Sequence, residues 1–190
     1  MIKTMAEERT SLLTVEQFKQ LARPTGNHID EEEVKVFIRE CEDSFIIPAI
    51  GYERFKASIG QGDFGDSVLP GFNADTFIDG GEYSVDGKDS SCKDIKVLKY
   101  TSGIRKSLAY FVYAKILRSD GTIVSRSGAM RHRDDYSDHV DDSSLKQYND
   151  IMGMAESYLS DTLLYLKATT KAGEVKPHRS TRVRIHAIGD

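Results

Sequence analysis

The densest group of chemistry-bearing residues in the 190-residue sequence is His132, Asp134, Asp135, Asp138 and His139. Imidazoles and carboxylates of this kind are divalent-metal ligands when rigid elements and a supporting shell of hydrogen bonds hold them in place. Here they fall in a polar connector, and a solvated charged loop is the plainer account. His132-Arg133-Asp134 also spells the catalytic loop of a protein kinase. That chemistry needs an Asn five residues after the Asp, a Gly-rich phosphate loop and a strand lysine. His139 stands where the Asn belongs, and the chain is too short for the fold. Gly60-Gln-Gly-Asp-Phe-Gly65 has the glycine spacing of a dinucleotide loop, but it follows a helical segment instead of a strand. Without a strand before it and a helix after it, such a loop cannot aim amides at a pyrophosphate. No Gly-x-Ser-x-Gly elbow is present, and the two cysteines, Cys41 and Cys92, match no metal spacing. The expectation is a protein without catalytic residues, cofactor or metal.

The elements around these residues can be read from periodicity. Thr14-Val-Glu-Gln17 is a capping-box pattern that predicts a short helix to Ala22, stopped by Pro24 and Gly26. Asp30 and Glu31 to Glu33 open a second helix, with Val34, Phe37, Ile38, Cys41 and Phe45 on one face. Pro48 should kink or end it, and Gly51 marks its exit; Tyr52 to Ile59 add another turn of helix. From Gly60 to Gly87 the glycines and Pro70 predict loops with at most short strands, including turns at Asp79-Gly-Gly81 and Asp86-Gly87. Ile95 to Tyr100 is a strand-like run able to pair within this region.

A third helix is expected from Ser102 or Gly103 to Leu117. Its apolar residues lie around most of the circumference, as in a central helix covered by several neighbours. Thr122 to Val124 reads as a strand after Asp120-Gly121, and 126–139 as a polar connector. Asp141 or Asp142 should cap a long last helix running to about Ala168. Leu145, Tyr148, Met152, Ala155, Leu159, Thr162 and Leu166 recur in threes and fours along it, so one face must be covered. The tyrosines at 110, 113, 148, 158 and 165 share this helical spacing and read as core, not as a base-stacking platform.

The expected fold is therefore mainly α. A helical bundle of three main helices spans residues 1–170, with a small β-containing, Gly-rich insertion at about 60–101. An extended C-terminal arm, residues 171–190, follows.

Net charge sharpens the division. The whole chain carries −4, whereas the arm sums to +3 from Lys171, Lys176, Arg179, Arg182 and Arg184 against Glu174 and Asp190. The remainder is −7, a sign that disfavours gripping nucleic-acid phosphate. No run approaches ~20 apolar residues, so no membrane span is expected, and Met1 to Thr10 lack the apolar region of a signal peptide. Cysteine usage fits a reducing compartment, with Cys41 as a small buried hydrophobe.

The arm ends in an alternating pattern. Val183, Ile185 and Ala187 interleave with Arg182, Arg184 and His186, and Ile188 places an apolar group almost at the terminus. Such a two-sided strand without a partner in its own domain tends to find one elsewhere. Fully extended, the arm reaches about 65–70 Å.

Three segments together carry a family resemblance. They are Asp79-Gly-Gly-Glu-Tyr83, Gly103-Ile-Arg-Lys-Ser-Leu-Ala-Tyr-Phe-Val-Tyr-Ala-Lys115, and Asp134-Asp-Tyr-Ser137 ahead of a helix with Tyr158-Leu159 and Tyr165-Leu166. In these the chain resembles the head-to-tail connector (adaptor) proteins of tailed bacteriophages. It is most similar to the versions in phages of gut Bacteroidales, including the crAss-like group. The resemblance spans roughly residues 30 to 168. It implies a structural virion protein, assembled in the host cytoplasm and located in the neck or tail. A ring, commonly of twelve copies, would sit beneath the portal protein, contact other tail or ring proteins and pass DNA without binding it specifically. By position, Arg179, Arg182, Val183, Arg184, Ile185, His186 and Ile188 would be the portal-docking segment. Leu145, Tyr148, Met152, Leu159 and Leu166 would be the core seam. The Gly-rich insertion is longer and more polar than the simplest adaptors carry, which leaves its partner open.

Two other classes of function compete. A nucleic-acid-binding module would use the basic arm and lose affinity steeply with salt. A small enzyme centred on 132–139 would depend on Asp134, though no substrate suggests itself.

Overall fold

The computed structural model describes residues 9–23, 30–65, 68–88, 94–119, 122–125, 128–131 and 141–170. Within them the chain is mostly helical with a small antiparallel sheet. The first helix, α1 (Val15–Leu21), starts on the expected capping box. The Thr14 hydroxyl accepts from the Gln17 amide, and the Gln17 side chain accepts from the Thr14 amide. Two of the amide donors left unpaired at a helix start are thereby satisfied. Asp30 caps α2 (Glu31–Cys41) by accepting from the Glu32 amide, and three glutamates sit at the positive end of its dipole.

The helical segment does not stay regular as far as Pro48. The chain widens into a π-helical turn, Glu42–Ile46, where the Ile47 amide reaches back to the Glu42 carbonyl. Pro48 then lies in the first turn of α3 (Ile47–Ile50), where a missing amide is tolerated. The turn also aims Phe45 at the next layer: its ring stacks on Phe111 at 4.4 Å between centroids. Gly51, at φ 88°, passes the chain into α4 (Tyr52–Ser58).

The stretch from Gly60 to Gly87 departs from the expectation of loops with turns at Asp79-Gly-Gly81 and Asp86-Gly87. It contains α5 (Ala74–Asp79), whose N-terminus is capped by the Asn73 side chain accepting from the Asp75 and Thr76 amides. Phe77 anchors this helix with no exposed surface. Gly80 ends it, and β1 (Gly81–Lys88) then runs straight through Asp86 and Gly87. Pairing explains the difference: β1 forms a continuous antiparallel ladder with β2 (Asp94–Thr101), from Gly81 opposite Thr101 to Lys88 opposite Asp94. Cross-strand bonds and Val97 lying over Gly87 outweigh that glycine's local turn preference.

From β2 the chain enters α6 (Ile104–Ser119), the buried helix its composition called for. Ile104, Leu108, Ala109, Phe111, Val112 and Ala114 have no solvent exposure. It packs along α7 (Asp141–Thr169) and is flanked by α2, the π turn and α5. Between them, β3 (Thr122–Ser125) pairs with β4 (Gly128–Arg131). The second of these strands lies where only a polar connector was expected. Four residues are too few to show alternation, so only its partner reveals it. No helix of the described residues is long and apolar enough to cross a membrane.

Two glycines set how the hairpin meets the helices. A Cβ on Gly103 (φ 78°) would lie 2.4 Å from the Gly80 amide nitrogen and 2.5 Å from the Asp79 carbonyl carbon. A Cβ on Gly80 (φ 93°) would lie 2.7 Å from the Thr101 carbonyl oxygen. The segment leaving α5 and the segment starting α6 therefore cross backbone to backbone, in conformations that favour glycine.

The N-terminal segment is held by one buried carboxylate. Glu42, fully buried, accepts from the Leu12 amide at 2.7 Å and from Arg9 at 2.9 Å, while Arg9 also bonds Asp43 at 2.7 Å. Burial raises the Glu42 pKa above its ordinary value, outweighing the Leu12 amide and Arg9, which both pull it down. The same desolvation pushes the Cys41 thiol up to about 12, so it packs as an inert apolar group.

Three variants check this account. Gly103→Ala should lower unfolding stability by about 3 kcal/mol or more, from combined backbone strain and overlap, read by chemical denaturation. For Glu42, the raised pKa means the folded state takes up the proton more readily than the unfolded chain. Its stabilising term is present at low pH and lost as pH rises through the folded pKa. The stability of Glu42→Gln relative to the natural protein should therefore rise with pH across that window. Glu42→Ala, which leaves the Leu12 amide without its acceptor, should cost about 2–3 kcal/mol at neutral pH.

Candidate partner-binding surface

The β1–β2 hairpin stands partly free of the body. Paired residues of an antiparallel ladder share a face. One face carries Tyr83, Val85 and Gly87 with Ile95, Val97, Lys99 and Thr101; the other carries Glu82, Ser84 and Asp86 with Asp94, Lys96, Leu98 and Tyr100. At the base the first face belongs to the core. Thr101 is buried with its hydroxyl 3.3 Å from that of Thr162, and Tyr83 meets the Tyr165 ring edge-on at 4.9 Å. Burial raises the Tyr83 pKa, with Asp161 adding to the shift. Beyond the base the cover ends. Ile95 is 42% exposed, Val97 37%, Leu98 65% and Tyr100 62%, four of the eight large hydrophobic side chains found exposed among the described residues. Scattered exposed hydrophobics are ordinary, but here Ile95 and Val97 lie on one face of β2 and Leu98 and Tyr100 on the other, so both faces of the hairpin present apolar side chains of the kind that mark contact sites.

Tyr165 organises the ground beneath the hairpin. Its hydroxyl accepts from the Asn73 amide at 2.7 Å and donates to the Asn73 carbonyl at 3.1 Å. Phe72 stacks on its ring, and Phe64 and Phe77 extend the cluster. Burial raises the Tyr165 pKa, so the phenol stays protonated as donor. Next to it, Val68 and Thr170 form an isolated antiparallel bridge, and the Leu69 amide donates to Thr169 at 2.8 Å. The last turn of α7 is thus tied to the loop before α5, beside the foot of β1.

Of the seam residues, Met152, Leu159 and Leu166 are buried and Tyr148 is half-buried. The α7 side chain of Leu145 lies outside the described residues. Tyr165, read as core from the spacing of the tyrosines, is buried as expected, while the heptad seam left out Ile151 and Leu163, which are also buried. A helix against a globular core covers a wider stripe than a two-residue coiled-coil seam, and the 3.6-residue period would have included them. Ser107 crosses between the two helices, its hydroxyl donating to the Ala155 carbonyl at 3.0 Å.

Arg179, Arg182, Val183, Arg184, Ile185, His186 and Ile188 all lie outside the described residues, as do His132, Asp134, Asp135, Asp138 and His139. Among the described residues no three His, Cys, Asp or Glu side chains converge as a metal site. The Gly60–Gly65 loop follows the helix α4 and not a strand. An open groove of about 390 Å³ lies between the N-terminal segment and α2, lined by Arg9, Thr14, Glu16, Glu31, Lys35 and Arg39 among others. Charges of both signs meet there, and no nucleophile–base pair does.

Comparison with known proteins adds one relationship. Residues 69–180 match the model of a family of unknown function, DUF6712, and the chain belongs to that family. The matched stretch starts at the loop bridged to Thr170, takes in α5, the hairpin, α6, β3, β4 and α7, and runs into the arm. The charged groove beside α1 and α2 lies outside it. No curated protein and no solved structure matches the chain.

Tyr165→Phe removes both bonds to Asn73 while keeping the ring. It should cost about 1 kcal/mol, measured by denaturant unfolding, because the phenol's two bonds are lost while the exposed Asn73 can turn to water.

Proposed function

We propose that the protein is a structural connector that assembles as a ring between the portal and the tail of a bacteriophage virion and continues the channel for DNA. The observation that carries this reading is the hairpin. A chain whose helices bury a full core still presents Ile95, Val97, Leu98 and Tyr100 on a projecting two-stranded ribbon. Exposed apolar ribbon is a hazard for a lone protein and an asset for one that packs against neighbours. The sequence resemblance to phage connectors supports the same reading. So does the acidic remainder, which repels a passing duplex instead of holding it.

In this reading three main helices, α2 with its π turn, α6 and α7, form the protomer bundle. The segment of about 60–101 is the insertion that meets other tail components or adjacent copies. The ring holds about twelve copies by analogy with the connectors it resembles. Arg179, Arg182, Val183, Arg184, Ile185, His186 and Ile188 dock on the portal by strand addition or in a groove, basic side chains matching an acidic surface.

The test is the mass of the purified protein alone and mixed with portal particles, full-length and with residues 171–190 deleted. The full-length chain should form a ring and bind portal; the truncated chain should lose portal binding. Equal occupancy by both would remove the docking role, and a protein that stays monomeric with portal present would remove the connector. Salt-sensitive binding of duplex DNA in a mobility-shift assay would favour the nucleic-acid reading instead.

A further inference from the structure

The hairpin leaves an edge whose two faces differ in chemistry, and the arm holds a segment with the same two-sided division. We infer that, in the protein free of other chains, Thr181–Ile188 of the same molecule adds as a third strand along the outer edge of β1. This goes beyond the connector reading and does not depend on it.

Four observations carry the assignment. Among the described residues the sheet is two-stranded, so β1 has one edge with no strand beside it. The lengths agree, since β1 spans eight residues and Thr181–Ile188 also has eight. The faces agree as well. Along β1, Tyr83 and Val85 point to the face continuous with the core, while Glu82, Ser84 and Asp86 point to the other. A strand alternating Val183, Ile185 and Ala187 with Arg182, Arg184 and His186 extends the apolar face with its aliphatic side chains. It sets its cations beside Glu82 and Asp86. The outer edge of β2 offers no such match, because Lys96 stands where a second acid would be needed.

Placement is the fourth observation. Tyr83 of β1 touches Tyr165, and Thr170, where the described chain ends, lies five residues further along, about 7.5 Å of helix. The ten residues Lys171–Ser180 can span up to about 33–36 Å, more than the roughly 26 Å length of an eight-residue strand. A tether of that length holds the strand at a millimolar effective concentration near its own hairpin, which favours the same molecule over a second copy. The arm then occupies the open edge of β1, and any partner that takes the arm must first displace it.

Amide hydrogen exchange on the full-length protein tests this. The outward-facing amides of β1 should be protected, equally at low and high protein concentration. Val183→Asp with Ile185→Asp should speed their exchange roughly tenfold or more and leave α6 amides unchanged. Arg182→Glu with Arg184→Glu should weaken the protection, as should Glu82→Lys with Asp86→Lys, and the four changes together should restore it. Three results would overturn the assignment: unprotected outer amides in the natural sequence, protection indifferent to the Val183 and Ile185 changes, or protection that grows with concentration, which would place a second copy on the edge. Portal capture is a separate measurement, so a chain that fails there while keeping β1 protection loses only the connector reading.

Discussion

The backbone crossing of Gly80 and Gly103 is the constraint on which the remaining structure depends. A helix that ends in Gly80 and a helix that begins after Gly103 are brought within contact of each other's peptide groups, with no room for a Cβ on either side. That approach closes the base of the hairpin, because Gly81 and Thr101 are the first pair of the ladder. It also fixes where α6 enters the core, and α6 touches nearly everything else. Arg105, one residue into α6, ties the junction down further by bonding the Leu12 carbonyl and the Asp79 carboxylate. A single close approach thus orients the hairpin, α5 and the N-terminal segment together.

Around this junction the buried polar groups act as joints. Ser107 bonds across to α7, and Thr101 and Thr162 share a hydroxyl contact where the hairpin meets the same helix. Tyr165 serves the loop before α5, and Glu42 serves the bend at Leu12 that leads into α1. Each satisfies a backbone or side-chain group that burial would otherwise leave unpaired. Within the described residues these groups hold separate segments of the fold together. Four of the large apolar side chains left over lie along β2, from Ile95 near the turn to Tyr100 beside Thr101 at the base. A two-stranded ribbon is marginal without something to cover it, which makes its outer half the natural place for a further contact.

The division between readable and unreadable elements follows the range of the interactions. Thr14 with Gln17, Asp30 with its glutamates, and Gly51 announce themselves because a cap and its helix lie within a few residues. The all-round apolar composition of α6 announces burial without naming the neighbours. By contrast, Asp86-Gly87 has the form of a turn and stands inside a strand, and Gly128–Arg131 has the form of a connector and pairs with β3. Both outcomes are decided by a partner segment, and a local pattern carries no information about which partner wins. The α5 helix was hidden for a related reason: its six residues are held by Asn73 and Phe77, and Asn73 is held in turn by Tyr165 from another part of the chain.

The amino-acid order by itself determined a mainly helical chain, the all-round burial of α6, the apolar stripe of the last helix, and the charge contrast between arm and body. All of these rest on composition and on periods of a few residues. Only the tertiary structure decided that Gly80 and Gly103 meet, that Tyr165 grips Asn73, and that the apolar residues of β2 stay in view of solvent. Those facts depend on separations of more than twenty residues being closed in space. That closure is governed by packing and steric exclusion, which no local window of sequence contains.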